Sequence, residues 1–494
     1  MNDVSMEKIV NLCKTRGFVF PGSEIYGGLA NSWDYGPLGV QLKRNIKDDW
    51  WKTFVESRQD MVGLDGAIMM NPKVWEASGH VGGFSDALVE DQVTNKRYRV
   101  DHLIEEAVGV NAEGKSLAEL EELINKHDIK SPDGNKLSAP RSFNLMFETY
   151  VGSLNLLQEA WELLKWQSKM LGSNNSEDVE ELKNSGKELA QKLDEARTYL
   201  RPETAQSIFV NFKNVLETSR KRLPFGIAQI GKAFRNEITP GNFIFRTLEF
   251  EQMEIEYFVE ESDWKETFET WNAAMNRWGH SIGLDVDRMH DVETPQEKLA
   301  HYSRRTVDIE FDFPFGKKEL WGLAYRTDHD LHQHQEHSGQ KLQYTDPMDA
   351  QRKFLPHVIE PSFGVDRTLL ALLVSAYDEE EVDGDTRTVM RFKPHMAPVQ
   401  IAVLPLSKKP ELQQASDRVM NALLGKYRVE YDETQSIGKR YRRQDEIGTP
   451  YCVTIDFDSL QDHAVTVRDR DTMKQDRVPI DELVGYFSKK LLSN

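Results

Sequence analysis

Cysteine is nearly absent from this chain: Cys13 and Cys452 are the two among 494 residues. One pair builds neither a disulfide framework nor a four-cysteine zinc site, so a reduced, cytoplasmic setting is expected and zinc is not. Long apolar runs are missing as well. No stretch reaches the roughly 18–20 residues that a membrane helix needs, and the opening MNDVSMEKIVNLCKTRG lacks the apolar core of a secretory signal. No membrane partner is expected. Neither a GxxxxGK(S/T) loop nor a strand-linked GxGxxG occurs, so a nucleotide would have to be held without the common backbone cradles. Positive charge is in deficit: 62 Lys and Arg stand against 81 Asp and Glu, for a net charge of −19. A general polyanion binder would be basic, so non-specific coating of DNA or RNA is excluded.

What is present fits a folded, multi-domain protein. Hydrophobic residues make up 39% and charged residues 29%, which excludes a disordered tail. The length suggests three or four domains. From His395 to Asn494 there are 15 Lys and Arg against 15 Asp and Glu, so all of the negative excess lies in residues 1–394. A seam is expected there: the acidic run Asp378 to Asp385 is followed by KPHMAP, which reads as a mobile linker. Beyond it, VQIAVLPL, YRVEY, YCVTIDF and HAVTVR read as strands. Helices are expected over Leu412 to Leu424, in a basic stretch after it, and from Ile480. That alternation implies an α/β layer of about 100 residues. Before the seam, FIFRTLEFEQMEIEYFV and RTVDIEFDFPF are long and carry charge on alternate positions, which predicts antiparallel sheet with one polar face. Helix-rich, charged stretches around Leu117–Lys126 and Glu177–Ala196 read as an insertion.

Three segments carry candidate chemistry. Phe234 to Phe258 reads as a hairpin with arginines and carboxylates on both arms and a turn at Pro240 and Gly241. A sheet holds such side chains rigidly, and Arg forks onto phosphate oxygens. A solvated amphipathic hairpin accounts for the same spacing. Val358 to Leu373 reads as strand, tight turn and apolar helix, with Arg367 in the first helical turn, where the dipole favours anions. Taken alone it is equally a capped core helix. In Asn31 to Trp51, Pro37 opens a helix whose Leu38, Leu42, Ile46 and Trp50 form one apolar stripe, either core or a dimer seam.

In this order the three segments resemble motifs 1, 2 and 3 of the class II aminoacyl-tRNA synthetases. YLRPETAQ (Tyr199 to Gln206), FRNE with FRTLEFEQME, EPSFGVDR, and GKRYRRQDEIGTP (Gly438 to Pro450) are similar to the dimeric, α2 glycyl-tRNA synthetases along nearly the whole chain. The implied fold is α+β: an antiparallel catalytic sheet flanked by helices, a helix-rich insertion, and a C-terminal α/β anticodon-binding domain. The expected limits are 1–100 (motif 1), 101–198 (insertion), 199–390 (motifs 2 and 3) and 395–494 (anticodon-binding). The resemblance starts at the N-terminus, so the extra helical hairpin of many animal enzymes is not expected.

The implied activity is ATP-dependent formation of glycyl-adenylate and transfer of the glycyl group to tRNA(Gly), with Mg²⁺ on the phosphates and a homodimer as the working form. No DNA partner is implied. Arg235 and Arg367 match the catalytic arginines at the α- and γ-phosphates. Asn236, Glu237, Phe245, Arg246, Thr247, Leu248, Glu249, Phe250, Glu319, Leu320, Gly364, Val365 and Asp366 complete the implied ATP site, with Glu319 also a magnesium ligand. The implied glycine site comprises Arg99, Glu203, Phe250, Glu251, Gln252, Met253, Glu254, Arg326, Glu360, Pro361, Ser362, Phe363 and Gly364. Lys439, Arg440, Arg442 and Arg443 are the implied tRNA contacts. His332, His334 and His337 do not share one helical face, so no metal site is expected from them. The alternatives are a catalytically inactive RNA-binding or accessory relative, or another class II specificity. The first would lack the motif arginines, and a threonine-type enzyme would need zinc-binding Cys and His.

Overall fold

The computed structural model describes residues 4–110, 112, 114–152, 155–170, 176–238, 241–382 and 384–492. Seven segments build its principal sheet: β1 (Met61–Gly63), β2 (Phe225–Phe234), β3 (Glu249–Val259), β4 (Met289–Glu293), β5 (Arg305–Phe313), β6 (Gly316–Thr327) and β7 (His357–Gly364). Their spatial order is β4-β5-β6-β7-β3-β2-β1, antiparallel throughout except between β1 and β2. Successive side chains on a strand face opposite ways. On β3, Met253, Ile255 and Tyr257 therefore join the main core, while Gln252, Glu254 and Glu256 face the other way.

The core side is sealed by α1 (Pro37–Trp51), α3 (Trp264–Ile282) and α5 (Val365–Ala376), while α2 (Ala205–Ser219) packs in a second apolar cluster with Phe225 and Phe258. Helix α4 (His329–Ser338) also lies near the sheet. Pro37 occupies the first turn of α1, and Gly39 allows the helix onto the Phe18 carbonyl, since a Cβ there would lie 1.8 Å from that oxygen. Leu42, Ile46 and Trp50 have no exposed surface, and Leu38 packs on the same cluster. The stripe is thus used up inside one chain, where each side chain contributes roughly 1.5–3 kcal/mol. It is not a dimer seam.

The helices Leu117–Lys126 and Ser176–Ala196 form where the charge-rich stretches predicted them, the first opening on a Ser116–Glu119 capping box. The first belongs to a unit with its own core, which also draws Val89 from strand Ser85–Glu90, upstream of residue 101. Strands Phe147–Tyr150 and Arg197–Leu200 pair beside the second helix and lead the chain back to the main body.

The expected mobile linker is instead an ordered hairpin. β8 (Tyr377–Val382) pairs with β9 (Asp385–Met390). Its acidity is balanced locally: Arg391 reaches Asp378 at 2.8 Å and Glu380 at 3.0 Å. The buried Arg387 pairs with Glu380, with Asp445 at 2.8 Å and with the Arg470 carbonyl at 2.6 Å. That clamps the hairpin to the C-terminal domain. There, β10 (Ile401–Pro405), β11 (Val429–Tyr431), β12 (Tyr451–Ile455), β13 (Ala464–Asp469) and β14 (Gln475–Pro479) lie in the order β11-β10-β12-β13-β14. Helices α6 (Pro410–Leu423), α7 (Ile437–Ile447) and α8 (Leu483–Leu492) accompany them. Strand β14 had no sequence signal, because it is an edge strand with only Val478 buried.

Candidate active site

The polar face of the principal sheet opens into a cavity of about 580 Å³. Its floor is set by alternation: Gln252 and Glu254 from β3, Glu360, Ser362 and Gly364 from β7, Leu320, Gly322 and Arg326 from β6, and Thr306 and Asp308 from β5. Arg235, Glu237, Phe245, Arg246, Thr247, Phe250 and Arg367 line its other side.

Arg235 is held by neutral groups. Its Nε donates to the Pro202 carbonyl at 3.0 Å, and its guanidinium lies against the rings of Phe84 (5.4 Å) and Phe250 (5.3 Å). It forms no ion pair among the described residues. Arg367 lies 4.5 Å from the Phe245 ring centroid, with Nη1 3.1 Å from a Glu319 carboxylate oxygen and 3.0 Å from the Glu319 carbonyl. The Arg367 guanidinium holds the Glu319 carboxyl below its usual range, with Arg235 and Arg246 adding to the effect. Across from Glu319, burial together with Glu319 and Glu310 pushes Asp308 up to about 7.

The deep end is crowded with acids. Arg326 is buried, forks onto Asp330 at 2.8 and 2.9 Å, and donates to Glu360 at 2.7 Å. Tyr302 covers it at 4.0 Å. Asp330 also accepts from Gln206 at 2.9 Å, and Gln206 meets His334 at 2.8 Å. Burial lowers His334 to about 4, so it serves as a neutral hydrogen-bonding group. Glu254 accepts from Thr204, and from Ser362 at 2.9 Å. Glu203 accepts from Gln206 at 3.0 Å and lies 3.4 Å from His80. Burial opposes ionisation of Glu203, but His80, Arg326 and Gln206 overcome it and hold the carboxyl well below its usual range. Glu254 is raised by burial and by Glu203. Burial, with Glu254 and Glu203, outweighs Arg326 at Glu360 and pushes it up to about 8. Two cations facing outward and a nest of carboxyls behind them suit a triphosphate at the mouth and a small ammonium at depth.

Several expected contacts are not in this cavity. In the run Phe250 to Glu254, Met253 is core, while Glu251 stays on the cavity lining with its carboxylate held by Lys43 at 2.8 Å and Lys47 at 2.9 Å. On β7, Phe363 packs against Trp50 and Trp278, and Pro361 is buried on the same side. Val365 is core. Asp366 lines the cavity, but its carboxylate is taken by Tyr35, Lys43 and the Glu251 N–H, which joins α5 to α1. Asn236 and Leu248 contribute backbone bonds to Leu145 and Arg235, and Glu249 pairs with Lys232 on the outer surface. Arg99 forks onto Asp101 and reaches Asp86 at 3.0 Å, outside the cavity lining. Of the hairpin turn, Pro240 lies outside the described residues. In the C-terminal domain, Arg440 is buried and donates to the carbonyls of Pro405 (2.6 Å) and Asp432 (3.0 Å). It is a structural residue, not a nucleic-acid contact. Arg443 is paired with Asp432. Lys439 faces solvent and Arg442 is half-exposed.

Sequence reasoning missed Tyr302, Asp308, Asp330 and His80. Asp330 was detectable, four residues after Arg326 at the start of a helix, and Asp308 belongs to the alternating charges of RTVDIEFDF; Tyr302 and His80 had no local signal.

Comparison with known proteins agrees with this geometry. The family "tRNA synthetase class II core domain (G, H, P, S and T)" matches residues 188–376, and "Anticodon binding domain" matches residues 400–490. The chain is 51% identical to the glycine–tRNA ligase of Caldanaerobacter subterraneus subsp. tengcongensis, over 99% of both chains. It is 53% identical to that of Acetivibrio thermocellus, over 98% of both. Against that of Geobacillus thermodenitrificans it is 52% identical, over 99% of this chain and 98% of the other. A prolyl-tRNA synthetase from Cryptosporidium parvum, complexed with halofuginone and AMPPNP, aligns with a TM-score of 0.60 at 12% identity, covering 98% of this chain and 75% of that one. That likeness establishes the fold alone. Identity of about one half along the whole length goes further: the chain belongs to the glycine–tRNA ligase family of class II synthetases.

Proposed function

We propose that this chain activates glycine with ATP and esterifies it to tRNA(Gly). In the first step a glycine carboxylate oxygen bonds to the α-phosphorus, the α–β phosphoanhydride bond breaks, and pyrophosphate leaves. In the second, the terminal ribose hydroxyl of the tRNA attacks the glycyl carbonyl and AMP leaves. Arg235, with its charge unpaired among the described residues, supports the α-phosphate as charge grows there. Arg367, steered by Glu319, supports the γ-phosphate. Glu237, Arg246, Thr247, Phe250, Leu320 and Gly364 line the nucleotide's place. Asp308 and Glu319 would hold Mg²⁺: a cation there would offset the burial and the Glu319 and Glu310 repulsion that keep Asp308 partly protonated. When bound, the ion neutralises phosphate charge.

The observation that carries the reading is the convergence of Glu203, Glu254 and Glu360 at the blind end of a cavity whose mouth holds Arg235 and Arg367. Glycine has no side chain to grip, and one methylene in an apolar pocket is worth only about 1–3 kcal/mol. Rejection of larger amino acids is therefore assigned to crowding by Ser362, Tyr302 and the carboxylates. ATP–pyrophosphate exchange with a panel of amino acids tests this. Exchange with glycine alone is expected; preference for alanine or threonine, or no exchange, would overturn it.

A homodimer of the α2 type is part of the proposal. It is supported by exposed apolar residues beside motif 1, namely Ile25, Tyr26, Leu29 and Val40. Sedimentation at micromolar concentration should show a dimer. Lys439 and Arg442 are proposed as tRNA contacts. Four units at 1–100, 101–198, 199–390 and 395–494 are part of the proposal, with the insertion's core reaching back to Val89. A cytoplasmic setting is supported by two buried, unpaired cysteines. Among the described residues no helix is long and apolar enough to cross a membrane.

A further inference from the structure

Beneath the amino-acid pocket lies a carboxyl that the reaction leaves unused. Glu256 has no exposed surface, and neither of its carboxyl oxygens has a hydrogen-bond partner among the described residues. It follows Glu254 on the same face of β3, and the pairing of Glu254 with Ser362 and Tyr257 with Ile359 sets it against Glu360 on β7. The charged groups facing it are Glu360, Arg326, Glu254 and Asp330. Arg326 is already committed, with two nitrogens on Asp330 and a third on Glu360. One guanidinium and one incoming ammonium cannot balance four carboxylates, and a charged carboxylate without donors is not sustained in a dry interior.

We propose that Glu256 is a neutral positioning acid: it keeps its proton and backs Glu254 and Glu360 from below, so that these two stay turned toward the ammonium of glycine. The proposal rests on the glycine-binding reading above. Burial, with Glu360 as the nearest like charge, pushes Glu256 well above the ordinary carboxyl range, in the same direction. Glu256 does not touch the substrate; it acts through its neighbours.

The test compares Glu256→Gln, which keeps shape and neutrality, with Glu256→Ala, which removes both, in steady-state ATP–pyrophosphate exchange. Glu256→Gln should rescue glycine KM to within about threefold of the parent, while Glu256→Ala raises it about tenfold or more with ATP KM unchanged. Glu256→Met replaces the alanine variant if that one fails to fold. Difference infrared spectroscopy at neutral pH should show a protonated carboxyl band in the parent that Glu256→Gln removes. A glutamine variant as impaired as the alanine variant, an alanine variant with unchanged glycine KM, or no such band would each overturn the proposal. Glu360→Gln separates the two readings: if it leaves glycine KM intact, the glycine pocket itself is misassigned.

Discussion

Arg326 and Glu360 meet at 2.7 Å inside the chain, and the remaining nitrogens of the same guanidinium fork onto Asp330. One arginine thereby fixes the wall of the amino-acid pocket and the first turn of α4 together. Lysine cannot make this fork.

Arg326→Lys should therefore disable the pocket rather than the nucleotide site. Glycine KM is expected to rise by more than about tenfold with ATP KM near the parent value, and the thermal midpoint should fall, since breaking a buried pair costs about 3–5 kcal/mol. Exchange kinetics and calorimetry on one preparation check both. Equal loss of glycine and ATP affinity would contradict the assignment.

Arg235→Ala and Arg367→Ala should act on the chemistry. Removing one preorganised charge at a developing phosphoryl transition state costs about 10²–10³ in rate. The expected signature is a fall in kcat of exchange with little change in glycine KM. A rise in glycine KM alone would move these arginines out of the phosphate site.

Stability should fall as pH rises from about 6.5 to 8. Unfolded, Asp and Glu lose their protons near pH 4. Folded, Asp308 keeps its proton to about 7 and Glu360 to about 8. Through these two carboxyls the native state binds more protons than the unfolded state between those limits, while His334, lowered to about 4, works the other way below about 6.5, so unfolding free energy declines with pH from about 6.5 to 8. Carboxyls held low, such as Glu203 and Asp330, titrate below this window and do not oppose the trend. The thermal midpoint of the free chain should drop from about pH 6.5 to 8, with a shallower slope in Asp308→Asn. Parallel slopes would refute the assigned charge state of Asp308.

The basic run of the anticodon-binding domain should divide in two. Lys439→Ala with Arg442→Ala is expected to lower tRNA charging several-fold, leaving exchange and thermal midpoint unchanged. Arg440→Ala should lower the midpoint, because buried carbonyls left unpaired cost about 1–3 kcal/mol each. If Arg440→Ala alters charging without altering stability, its structural role is wrong.

The legible parts of the molecule were those where local pattern and burial agree. Strand β3, strand β5 and the two charge-rich helices followed from periodicity, and the arginines of the site followed from motif order. Met253, Pro361 and Phe363 drop out of the implied glycine site, because a strand sends alternate residues to opposite faces. Sequence reasoning passed over Glu256, although the same rule puts it on the face of Glu254, two steps beyond it in EQMEIE.

By itself the sequence determined the element types, the order of the three motifs and the set of ionisable residues. Those depend on local periodicity and on which side chains exist. Only the tertiary structure decided which charges are spent and which are free. Arg440 and Arg442 stand two residues apart in one basic run, yet one is sunk among carbonyls and the other is half-exposed. Glu254 is satisfied by Thr204 and Ser362, while Glu256 has no partner among the described residues. The physical reason is that a charge's role is set by the polarity and the donors brought to it from distant strands, and no local spacing encodes those.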